Sequence, residues 1–393
     1  MKSAFYYIIM LCLLVGCTNP GRRVVLPDSW QQDTLSYAQG LTIGYTPDYV
    51  QVDVRDPWDT TQLLQRYLLV DRNQPVPEGL PKGTVVKVPV QRVVVYTSVH
   101  ASILEQLGES HRIVGVCEPR YMDSPEVRAG LNEGRIADLG EATSPNVEKM
   151  LEIGTDVIIA SPFQNSSFGP VEKLGIPIVQ GADYLESLPL GRTEWVKFYG
   201  LLFGKQAVAD SVFKETEEAY LALKKLTAQV TTRPTVFSEK RYGASWYMPG
   251  GESYTANLFR DAGADYLFAD LPGTDSHPLS FETVFEKAYQ ADIWLLKYNQ
   301  SKDMTYADLQ QEYAPYAHFE AFQKKRIYAC NTGRIRYYEE FPLHPDYLLQ
   351  DFIQIFHPEL LSGRPLRYYH LMEDKQRTRF SWRENRVLSS LCK

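Results

Sequence analysis

The chain has 393 residues, 48 acidic and 41 basic side chains and a formal net charge of −7. Its charges are intermixed, which leaves no basic face for nucleic acid, and its length exceeds what one hydrophobic core usually holds, so more than one lobe is expected. Five cysteines without a CxxC pair exclude a disulfide framework and a locally written zinc knuckle.

The opening segment "MKSAFYYIIMLCLLVGC" has a lysine near its start and an apolar run from Ala4 to Val15. That run is too short for a permanent membrane span and reads as the core of a signal peptide over residues 1–16. The ending Leu14-Val15-Gly16-Cys17 resembles a bacterial lipobox, in which Cys17 is acylated and becomes the mature N-terminus. Such an anchor ties a folded body to a membrane. Residues 17–27 then form a short tether.

Residues 28–91 alternate apolar and polar side chains in "YVQVDV" and "TVVKVPV", with Pro, Gly, Asp and Asn between them. The pattern predicts short antiparallel strands in a β-rich extension that packs beside the first lobe. From Arg92 the rhythm changes to strand, loop, helix, strand. "RVVVYTS" reads as a buried strand, "HASILEQLGESH" as an amphipathic helix and "RIVGVCEP" as the next strand. A helix over "NVEKMLEIG" follows, with Ser144 as candidate N-cap and Pro145 at the first helical position. The strands "TDVIIAS" and "IPIVQG" complete an α/β lobe over 92–186, with parallel strands joined by crossovers.

Residues 187–232 are helical in composition, and from Ala207 to Val230 they contain no helix breaker. One helical crossing between lobes leaves little freedom for hinge motion. The alternation resumes over 233–393 with "RPTVFSEKR", "ADIWLLKYN" and "RIYACN". The fold class is therefore α/β, with two lobes of mostly parallel central sheets joined by one long helix, plus the N-terminal extension.

A short passage is written twice. In "NVEKMLEIGTDVIIAS" and "SFETVFEKAYQADIWLLK", Val147 aligns with Phe281, Glu148 with Glu282, Met150 with Val284 and Leu151 with Phe285. After a two-residue insertion Asp156 meets Asp292, and each opens an apolar run. With the apolar positions on one helical stripe, both first glutamates face solvent.

Together the lipobox, the two βα lobes with one helical link, the "RVVVYTS" strand, "PNVEKMLEIGTDVIIAS" and the closing "HPDYLLQDF" resemble the class III periplasmic binding proteins. These are the substrate-binding subunits of ABC importers for iron-siderophore complexes, haem and vitamin B12. The resemblance covers roughly residues 90–360 and leaves the 28–91 extension outside. It implies a monomeric, periplasm-facing lipoprotein that catalyses nothing. It also implies a metal-chelate ligand and, as partner, a permease with its ATPase subunits. Glu148 and Glu282 match the glutamates with which each lobe of such proteins docks on permease arginines.

In parallel sheets the loops after the strands' C-terminal ends converge on a ligand. The first lobe offers Ser98, His100, Glu118, Arg120, Tyr121 and Phe163. The second offers Lys240, Arg241, Trp246, Tyr247, Tyr298, Arg334, Arg336, Tyr337 and Tyr338. Arginines suit carboxylate or catecholate oxygens, and ring faces suit a macrocycle or catechol. These arginines lean toward an anionic iron-siderophore or haem, whereas Trp246 with Tyr247 also suits a cobalamin.

No bound cofactor is expected beyond that ligand. The seven histidines, His100, His111, His277, His318, His344, His357 and His370, make no i,i+4 pair and lie beside no cysteine pair. A metal site would have to be assembled at a distance, for example from His100, Glu118 and His277. His344 is expected to cap the final helix ahead of Pro345. The sequence holds no GxSxG, HExxH or P-loop, which favours binding over catalysis; a lipid-anchored hydrolase or an interaction protein of similar architecture is the competing class.

Overall fold

A computed structural model of the chain describes residues 31–361 and 363–374. The signal segment, the tether and Cys17 lie outside the described residues. Among those described, no helix is long and apolar enough to cross a membrane.

The first lobe is built on a five-stranded, all-parallel sheet. Its spatial order is Ile178–Gln180, Val157–Ala160, Val93–Val95, Ile113–Val116, Ala137–Asp138. Unbroken runs such as Val93-Val94-Val95 form its centre because both faces are covered. Val93, Val95, Val157 and Ile159 pack on one side, and Val94, Val114 and Ile158 pack with Met150 and Val171 on the other.

The extension contributes its own five-stranded sheet, Gln31–Gln32, Leu41–Tyr45, Val50–Arg55, Leu63–Asp71 and Thr84–Val88. Its last pair is parallel, although alternation alone predicts antiparallel strands. Its apolar face shares a core with the first lobe, where Ile43, Val52 and Tyr67 meet Val93, Ile159 and Phe198. The fully buried Tyr67 accepts from the Gln180 N–H at 2.8 Å and donates to the Ile178 carbonyl at 3.0 Å, which fixes the extension to the edge of the lobe.

The second lobe has the order Asp265–Tyr266, Thr235–Ser238, Ile293–Tyr298, Ile327–Asn331, His370–Leu371, parallel except for the final pair. A three-stranded antiparallel sheet, Arg241–Tyr242, Ser245–Pro249 and Ser276–Leu279, is set on it. Its core is aromatic, with Phe237 stacked on Trp294 at 5.1 Å between ring centroids and on Phe319 at 5.1 Å.

The connection between the lobes is three helices: Pro189–Glu194, Val196–Phe203 and the long Gln206–Thr227. The chain leaves the second of these through Gly204 at φ +68, a conformation that costs a residue with a Cβ about 1 kcal/mol. Two buried carboxylates of this region hold the extension. Glu194 accepts from the N–H groups of Ser36, Tyr37 and Ala38 at 2.8–3.0 Å. Glu186 accepts from Gln39, Gly40 and the Trp195 indole.

Two capping expectations are corrected. Asn146, not Ser144, caps the first-lobe helix Val147–Glu152, its side chain accepting from the Lys149 N–H. Pro145 therefore lies before the helix. His344 stands at the N-cap of Pro345–Phe356 but makes no side-chain cap bond; its ring stacks on Tyr347 at 4.6 Å instead.

Candidate ligand cleft between the lobes

The two lobes meet through elements that leave the C-terminal ends of their strands. Helix Ser98–Gln106 follows the strand Val93–Val95, and the short helix Tyr337–Glu340 follows Ile327–Asn331. Ser102 Oγ donates to the Glu339 carbonyl at 2.6 Å, and Arg336 binds Glu105 at 2.8 and 3.3 Å. The strand-end loops of both lobes therefore border one seam, the place where α/β sheets hold ligands. An 840 Å³ hollow lined by Leu226, Arg233, Asp292, Arg326 and His357 lies at the opposite, strand-start edge of the second lobe.

Around the seam the first lobe presents Ser98 at the first turn of its helix, half-buried Glu118, and the exposed rings of Tyr121 and Phe163. The Arg120 guanidinium lies 4.8 Å from the Tyr121 ring centre and is bound by both oxygens of Glu141 at 2.6 and 2.8 Å. From the second lobe, Arg334 binds Asp303 at 2.8 Å, and half-buried Arg241 lies 4.0 Å over the Tyr313 ring. Tyr247 and Tyr338 are exposed.

Four expected ligand residues are corrected. Trp246 is fully buried against Phe237, Trp294, Tyr316 and Phe319, and its indole N–H is spent on the Ser238 carbonyl at 2.9 Å. In the alternation of Ser245–Pro249 it takes the inward position and Tyr247 the outward one. Tyr298 is buried with its hydroxyl accepting from the Met304 N–H, and Tyr337 is buried against Phe341 and Tyr368.

His100 is the fourth. It is 1% exposed, with Nδ1 3.0 Å from Thr97 Oγ1 and Nε2 3.9 Å from Asp183. Burial holds its pKa down at about 4, so it is neutral. Asp183 also meets Arg192 at 3.2 Å and the Tyr199 hydroxyl at 3.1 Å, which ties the first lobe to the connecting helices. The ring fits because residue 181 is glycine: a Cβ there would stand 2.4 Å from His100 Nε2 and 2.6 Å from Tyr199 Oη. His100 is thus taken out of the metal set with Glu118 and His277. Among the described residues no group of three or more His, Cys, Asp and Glu is arranged to hold a metal ion.

Sequence reasoning passed over several residues that shape the seam. Lys297, the one charge in the run "IWLLKY", pairs with Glu239 at 2.9 Å. Burial works against its ammonium, but Glu239 and the Tyr337 and Tyr338 hydroxyls outweigh that and raise its pKa. A lone lysine near a strand's C-terminal end is a signal that could have marked it. Glu239 at φ +65, like the already expected Glu118 at φ +48, sits in the left-handed region at about 1–2 kcal/mol of backbone strain. Glu339 is 7% exposed; burial, with Asp123 nearby, raises its pKa to about 7.

The duplicated passage has one geometry in both lobes. Glu148 and Glu282 are each the second residue of their helix, after N-caps Asn146 and Ser280, and both are exposed in the first turn. Met150 and Val284, two positions on, are fully buried. Because each helix precedes a sheet strand and packs antiparallel to it, both glutamates emerge toward the strand-end side of their lobes.

A family model described as "Periplasmic binding protein" matches residues 93–332. The extension sheet, which ends at Val88, lies outside that match. An uncharacterized lipoprotein of Methanocaldococcus jannaschii is 28% identical over 321 residues, 78% of this chain and 75% of the relative. A periplasmic binding protein of Veillonella parvula superposes with a TM-score of 0.57 at 16% identity, covering 72% of this chain and 97% of that one. A protein of an ABC-type Fe3+-hydroxamate transport system from Saccharomonospora viridis gives 0.51 at 18% identity, over 70% and 94%. These superpositions establish a shared fold.

Proposed function

The chain belongs to the periplasmic binding protein family, whose members bind solutes and catalyse no reaction, and on that premise we propose a narrower role. The protein is the lipid-anchored, periplasm-facing substrate-binding subunit of an ABC importer. It acts as a monomer, held to the membrane through acylated Cys17. It carries an iron chelate, either a siderophore complex or haem, between its lobes and delivers it to the permease and its ATPase subunits. The observation that carries the reading is the matched pair Glu148 and Glu282. Equivalent turns of two equivalent helices each offer an exposed carboxylate on the strand-end side of their lobe. A permease surface with two arginines is the complementary partner.

Ser98, Glu118, Tyr121 and Phe163 of one lobe and Arg241, Tyr247, Arg334 and Arg336 of the other are the side chains proposed to border the ligand. A cobalamin is the second reading. It is favoured by the pairing of the seam's arginines with carboxylates of the protein itself, Arg334 with Asp303 and Arg336 with Glu105.

The test is the double variant Glu148→Arg, Glu282→Arg, assayed for chelate binding and for uptake in cells that depend on it. Uptake should fall at least about tenfold while the Kd stays within about twofold, because the substitutions act on docking alone. Loss of affinity with uptake in proportion would refute the docking role.

A further inference from the structure

Most of the cations at the strand ends of the seam are already neutralised from within the protein. Five ion pairs do this: Arg120 with Glu141, Arg334 with Asp303, Arg336 with Glu105, Lys297 with Glu239 and Lys240 with Glu312. Four of them are half-buried, with side-chain exposures between 18% and 34%. Of the remaining cations here, Arg241 lies over the Tyr313 ring and Lys302 is exposed in its loop. Glu118 stands 3.8 Å from Arg120, which Glu141 already binds, and the Glu339 carboxyl is buried beside Asp123.

An anionic ligand that draws on more than Arg241 and Lys302 would have to take a cation from its own carboxylate. The abandoned carboxylate would then face the incoming negative charge in a partly desolvated place, where like charges repel strongly and an unpaired ion is costly. An uncharged ligand leaves every pair intact and can still use the exposed faces of Tyr121 and Phe163. We infer that the ligand of this cleft is a metal chelate of no net charge, one whose metal charge is cancelled by the anionic groups of the chelating molecule and its bound ligands. The inference rests on the chelate reading above and narrows it, disfavouring haem with its propionates and triply negative catecholate complexes.

Calorimetric titration of the purified mature protein with four probes tests it: a neutral ferric tris-hydroxamate, cyanocobalamin, haemin and a ferric tris-catecholate. A neutral probe should bind at least about tenfold more tightly than either anionic one. Its Kd should change by less than about twofold as salt is raised, because no charge pair is formed. An anionic probe that binds most tightly, and weakens steeply with salt, would overturn the inference and leave the chelate reading standing. Silence from all four would overturn the chelate reading and the inference with it. In a Glu105→Gln, Glu239→Gln variant with a wild-type melting profile, the ratio of affinities should move toward the anionic probes by roughly fivefold or more, the expected return from an unmasked partly buried charge. An unchanged ratio in that folded variant would contradict the masking argument.

Discussion

Asp156 and Asp292 close the same end of the two central sheets. Asp156 Oδ2 accepts from the N–H groups of Gln91 and Arg92, at 3.0 and 3.2 Å, just before the strand Val93–Val95 begins. Asp292 Oδ2 accepts from the N–H of Thr235 at 2.9 Å, at the start of Thr235–Ser238. Each aspartate stands one residue before its own strand and satisfies donors of the parallel neighbour that the ladder does not reach. Asp156 in addition binds Arg72 of the extension at 2.7 Å. Alanine at either position is expected to cost ~1–2 kcal/mol, Asp156 the more, and the double variant should lose the sum because the sites share no partner. Urea denaturation midpoints check this; a double variant no weaker than the worse single would refute it.

This shared bond explains why the duplicated passage could be read before the structure. Repetition of Glu148, Met150 and Asp156 at Glu282, Val284 and Asp292 reflects local needs: an exposed first turn, a buried position two residues later, and a cap for the adjacent strand. The α/β alternation was legible for the same reason, since continuous β-branched runs suit sheets covered on both faces. What could not be read was tertiary pairing. "EKRYGASWYMPGG" displays Arg241 and Trp246 side by side, but strand alternation turns the tryptophan inward. Nothing near Arg334 or Arg336 in sequence announces Asp303 or Glu105, which arrive from another loop and another lobe.

Trp246 should therefore govern stability. Replacement by alanine empties a site walled by Phe237, Trp294, Tyr316 and Phe319 and strands the Ser238 carbonyl. A loss of ~3–5 kcal/mol is expected in chemical denaturation. A variant as stable as wild type would show that the indole is not part of the core.

Glu194 is the principal attachment of the extension to the connecting helices. It is fully buried, receives three backbone N–H groups and is paired with Lys197 at 3.0 Å. Glu194→Ala leaves those donors and the Lys197 charge without a buried partner, at a cost of ~3 kcal/mol or more. Hydrogen exchange at Ser36, Tyr37 and Ala38 should accelerate well before global unfolding, since the strands from Leu41 onward keep their own ladder. Unchanged protection at these three amides would contradict the assignment.

Glu339 sets a pH dependence at the seam. Its carboxyl is buried beside Asp123 of the opposite lobe, with Arg336 as the nearby cation, and its pKa stands at about 7 against an ordinary 4.5. Between those two values the folded protein keeps a proton that the unfolded chain has released. Stability contributed by this group is therefore greatest below pH 4.5, declines as the pH rises toward 7, and shows its full loss above that. Glu339→Gln removes the ionisation while preserving shape, and Asp123, Arg336 and the Arg128 bound to Asp123 remain in place. The stability of the glutamine variant relative to wild type should thus grow with pH through this window by ~2–3 kcal/mol. Urea unfolding of both proteins across the window measures it. A difference that stays flat with pH would mean that Glu339 ionises freely and that the lobes meet without a buried acid between them.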